Sequence, residues 1–90
     1  MNKQRRKAIE HFRKRLDELK LAAEELRSDI EALRDEEQEY YDNMPQSFQD
    51  GEKGQAAEAA VSSFDEAMSA LDEIESQVGE ADGHLEQAAA

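Results

Sequence analysis

A chain of 90 residues with no cysteine and a net charge of −12 excludes disulfides, thiolate metal centres and a cysteine nucleophile. Its core is too small for high stability unless helices pack ideally or chains associate. The charge separates along the chain: residues 1–20 hold eight Lys/Arg against three Asp/Glu, residues 21–45 two against nine, and residues 46–90 one against eleven. Phosphates are repelled by most of such a surface, which excludes a general nucleic-acid binder.

The basic start, MNKQRRKAIEHFRKRL, lacks the apolar run of a secretory signal, and no segment approaches a membrane span. A soluble, cytoplasmic protein with no membrane partner is the expectation. The KQRRK run at residues 3–7 is read as neutralising acidic helix rather than as binding nucleic acid directly.

The first expected element is a helix over residues 3–42. Steps of three and four from Ile9 meet Phe12, Leu16, Leu19, Ala23, Leu26, Ile30, Leu33, Glu37, Tyr40 and Met44, so ten of eleven positions are apolar. Ile9, Leu16, Ala23, Ile30, Glu37 and Met44 are heptad a positions and the others d. A seam this sustained argues against disorder.

A turn over residues 43–54 follows. Pro45 cannot continue the first helix and suits the start of a short helical piece, Gln46 to Gln49, while Asp50-Gly51 and Gly54 supply turn chemistry. The second helix is expected over residues 55–78, with a at Ala57, Phe64, Leu71, Val78 and Leu85 and d at Ala60, Ala67, Ile74 and Ala81. Gly79 and Gly83 weaken helix propensity by about 1 kcal/mol each, so residues 79–90 are read as an extension either helical or frayed.

If the helices run antiparallel within one domain, 1–90, facing numbers summing to 97 set a against d: Leu33 meets Phe64, Leu26 meets Leu71, Leu19 meets Val78 and Phe12 meets Leu85. Large faces small in the other layers, Ile30 on Ala67 and Ala23 on Ile74. The e rows then set Lys20 by Glu75 and Arg13 by Asp82, but leave Val61 and Met68 outside a two-helix seam. Apolar residues so placed need cover. The expected fold is therefore all-α, an antiparallel two-helix coiled-coil hairpin that dimerises into a four-helix bundle, with Val61, Met68, Phe64 and Leu71 as self-association residues.

The junction EYYDNMPQSFQDGEKGQAAEAA, followed by AMSALDEIESQV, resembles small helical-hairpin proteins encoded by phages and mobile elements of bacteria. The likeness covers residues of about 36–78. It implies a bacterial or phage context, and it implies no activity and no catalytic or binding residues.

No site constellation for catalysis is present, so no enzyme and no cofactor is expected. His11 and His84 occupy outward c and g positions and lack metal-ligand spacing, which makes them solvated histidines. The turn-proximal half, residues 21–45 and 50–73, holds −13 over about 33 Å, or one charge per about 2.5 Å, against one per about 1.7 Å in duplex DNA. Function is therefore expected in protein–protein binding, its specific form a DNA-mimic inhibitor of a host nucleic-acid-binding or defence protein. The expected contact residues are Tyr41, Phe48, Asp35, Glu36, Glu39, Asp42, Glu58, Asp65, Glu66, Asp72 and Glu73. The alternative is a structural coiled-coil assembly protein.

Overall fold

The computed structural model describes all 90 residues and contains only helix: α1 spans Lys3–Asp42, α2 Gln46–Gln49 and α3 Glu52–Ala89. Asn2 opens α1, its side-chain oxygen accepting the backbone N–H of Arg5 at 2.8 Å. This satisfies one of the donors that every helix start leaves free. No Gly interrupts α1. In α3 the helix continues through Gly79 and Gly83 to Ala89, so the segment read as helical or frayed is helical. Buried Val78 and half-buried Leu85 bracket the two glycines, and this packing offsets their poor propensity.

Two compact units make up the chain: Met1–Glu25 with Leu71–Ala90, and Leu26–Ala70. In each, a segment of α1 packs on a segment of α3. Within Leu26–Ala70 the segments run antiparallel, since Arg34 reaches Asp65 while Tyr41, further along α1, reaches Glu58, earlier in α3.

A short ladder of backbone bonds builds the turn in that unit. The Pro45 carbonyl accepts from the N–H groups of Phe48 and Gln49 at 2.9 and 3.1 Å, and the Gly51 carbonyl accepts from Gln55 at 3.0 Å to start α3. The Gln49 side chain donates to the Tyr41 carbonyl at 3.0 Å, tying α2 to the end of α1. No glycine adopts a positive φ. Gly54 serves instead as a point of close approach: it is buried, and a Cβ there would overlap the backbone of Gln49.

The seam differs from the one expected. Its buried residues are Ile9, Ala23, Ala57 and Val78 at a and Val61 at e, with no d residue among them. Phe12, Leu19, Leu26, Leu33 and Tyr40, the d row of α1, stay 45–53% exposed, and Ile74 of the α3 d row 42%. The a-to-d facing is thus corrected to a seam of a and e.

Comparison of rows explains the choice. The d row of α3 is mostly alanine, whereas its e row offers Val61 and Met68, so closing on e removes more apolar area from water. On α1 the e row is Arg13, Lys20, Arg27, Arg34 and Tyr41. Arg13, Arg27, Arg34 and Tyr41 are half-buried, as long side chains with polar tips can be, and Lys20 is exposed. Val61 is consequently buried and Met68, Phe64 and Leu71 half-buried inside the chain, which corrects the reading of Val61 and Met68 as left uncovered.

Candidate interaction surfaces

The Leu26–Ala70 unit holds twelve Asp/Glu against Arg27, Arg34 and Lys53, a net of −9. Its cations are largely engaged. Arg34 donates to Asp65 at 2.9 Å and to Asp35 at 3.4 Å, Arg27 pairs with Glu31 at 3.1 Å, and Lys53 sits over the Phe48 ring 5.5 Å from its centroid. The hydrogen bond from Arg34 to Asp65, helped by the charges of both acids, holds the guanidinium above its ordinary pKa.

Asp35, Glu36, Glu39, Asp42, Glu58, Asp65 and Glu66 are all exposed in this unit. Asp42 accepts from Gln38 at 2.9 Å, whereas Glu36, Glu39 and Glu66 engage no cation. Asp72 and Glu73 are exposed too and belong to the other unit.

Of the two aromatic contact residues, Phe48 is 50% exposed, but Tyr41 is half-buried and turned to its own chain. The neighbouring Glu58 carboxylate, as a hydrogen-bond acceptor first, then burial and the charges of Glu58, Asp50 and Asp42, push the phenol above its ordinary pKa. Tyr41 sits at e, the row that faces in, which is why the expectation of an exposed Tyr41 is corrected. The open tyrosine is Tyr40, at d. With Asn43, Met44, Pro45, Phe48 and Lys53 it lines a cleft of about 280 Å³.

In the unit formed by Met1–Glu25 and Leu71–Ala90, Arg13 donates to Asp82 at 2.8 and 3.1 Å and lies 3.7 Å from Glu86. Its hydrogen bond holds the Asp82 carboxyl below the usual carboxylate range, against the opposing effect of burial. The expected partner contact of Lys20 and Glu75 is not made: Lys20 is exposed, and Glu75 keeps one buried carboxylate oxygen with no hydrogen-bond partner.

On the d side of this unit, Phe12, Leu16, Leu19, Ala81 and Leu85 line a groove of about 870 Å³, edged by Arg15, Glu18 and His84. His84 Nε2 lies 3.9 Å from Glu80 on its own helix, and His11 stacks obliquely by Phe12. Sequence reasoning placed the d residues among them, Phe12, Leu19 and Ala81, in the core. The signal for their exposure was present in the e row of α3, where Val61 and Met68 compete for the same seam.

No helix is long and apolar enough to cross a membrane. No protein-family model, curated protein or solved structure matches the chain, so the chemistry of these surfaces carries the functional reading.

Proposed function

We propose that this chain is a non-enzymatic protein-interaction module, a helical hairpin that dimerises into a four-helix bundle and presents the acidic Leu26–Ala70 unit to a basic surface of another protein. A nucleic-acid-binding or defence protein of a bacterial host is the partner class that fits, with the acidic unit competing for the surface that otherwise takes phosphates. The observation that carries this reading is the net −9 of that unit, in which Glu36, Glu39 and Glu66 stay exposed and engage no cation. Over the roughly 28 Å of its α3 segment this amounts to one charge per about 3 Å, a little over half the linear density of duplex DNA.

A second reading, assembly of the chain with itself and no inhibitory role, is favoured by the exposed apolar d row.

Capture of proteins from bacterial lysate at low and high salt, followed by elution with duplex DNA, tests the first reading. Basic DNA-binding proteins should be retained, released as salt rises, and displaced by DNA. Reversing two charges, E39K with E66K, should abolish that capture. Retention that survives the reversal would sink the proposal, and retention of the chain by itself alone would favour assembly.

A further inference from the structure

We infer that the d row of α1 is the interface between two copies of this chain, and that the two α1 helices meet there antiparallel, with Leu26 opposite the partner's Leu26. The inference rests on the self-association reading above and adds its surface and orientation.

Three observations carry it. The first is area. Phe12, Leu19, Leu26, Leu33 and Tyr40 recur every seven residues on one helix and are all about half exposed. At roughly 100 Å² open on each, two such rows hide about 1,000 Å², the lower bound for a specific interface.

The second is charge. Residues 3–22 of α1 hold eight cations and three acids, +5, while residues 23–42 hold two cations and nine acids, −7. This polarity runs against the helix's own dipole, with no acid in the first turn and no base in the last, so it does not serve the helix by itself. Two α1 helices side by side in parallel would set +5 on +5 and −7 on −7. Antiparallel, each half meets its opposite. Placing α1 over the partner's α3 instead would bring its −7 half against a segment, residues 52–70, that is itself −3.

The third is register. Numbers that add to 52 pair Phe12 with the partner's Tyr40, Leu19 with the partner's Leu33, and Leu26 with itself on the two-fold axis. The flanking g positions, whose numbers then add to 51, place Arg15 within one residue of the partner's Glu36, and both engage no ion-pair partner within their own chain. The same alignment brings the partner's Tyr40 to the groove lined by Phe12, Leu16 and Leu19, and Phe12 to the partner's cleft beside Tyr40 and Phe48. The patch is self-complementary, as a two-fold interface requires.

Because the chain has no cysteine, single-cysteine variants of the full chain read the geometry directly. Under mild oxidation Leu26→Cys should cross-link to itself, whereas Phe12→Cys should not, its two copies standing about 40 Å apart at 1.5 Å per residue. Mixed Phe12→Cys and Tyr40→Cys chains should cross-link to each other. Separately, Arg15→Glu should weaken the dimer about tenfold in light scattering or sedimentation, and adding Glu36→Arg should restore it. All positions are exposed, and circular dichroism checks that each variant is helical. A stable dimer in which Phe12→Cys links to itself as fast as Leu26→Cys would overturn this interface while leaving self-association standing. A monomer at every concentration would overturn both.

Discussion

The two units use the same pair of helices in opposite ways. In Leu26–Ala70 the turn is held by close contacts: Gly54 lies against the Gln49 backbone, and the Gln49 side chain is tied to the Tyr41 carbonyl. In Met1–Glu25 with Leu71–Ala90, Gly79 and Gly83 face open space, one Glu75 oxygen is orphaned and the net charge is only −3. Geometry is therefore specified tightly where charge is most adverse, and loosely where opposite charges balance. Repulsion among twelve acids has to be resisted by packing, while eight cations against eleven acids leave the other unit little to resist.

Glycine substitutions break this comparison most sharply. Gly54→Ala should destabilise by about 3 kcal/mol or more in urea unfolding, because the atoms a methyl would meet are backbone and cannot swing aside. Gly79→Ala and Gly83→Ala should do the reverse, adding about 0.5–1 kcal/mol each, since nothing stands within 4 Å and Ala is the better helix former. Equal effects at all three positions would show that the turn is no tighter than the rest.

Glu75→Met tests the looser unit by a different route. It continues the e row of Val61 and Met68 and removes a buried oxygen that has no partner, so a gain of about 1 kcal/mol in the same melts is expected. A loss would mean that Glu75 is held by a contact its substitution destroys.

The smallest effect concerns Asp82, whose pair with Arg13 is open to solvent. Its folded pKa lies below the ordinary value of about 3.9, so the charged form is favoured by folding. That contribution is fully present above the unfolded pKa and disappears as pH falls through the lower folded value. The difference in Tm between the parent and Asp82→Asn should thus be constant from neutral pH down to about 5 and shrink below about 3.9. A difference that does not change with pH would assign the effect of Asp82 to something other than its charge.

Much of this was legible in order along the chain. Pro45 marks the end of α1, and the step of threes and fours marks both long helices, because turn chemistry and helical periodicity are local. The pairing of Arg13 with Asp82 was legible from the e rows alone. Tyr41 was not: whether it faces solvent depends on which row closes the seam. Glu75 failed for the same reason, since a complementary charge opposite does not say whether a carboxylate lies outside the seam or beneath it.

Sequence by itself determined an all-helical chain, its turn and its gradient of charge, each of which depends on residues near one another along the chain. Only the tertiary structure decided which two of three adjacent rows face inward. Rows d, a and e together span about 100° of each helix, and one neighbouring helix covers only two of them. The outcome turns on a comparison of both helices at once, Val61 and Met68 against a row of alanines, and it is that comparison which leaves Phe12, Leu19, Leu26, Leu33 and Tyr40 on the outside.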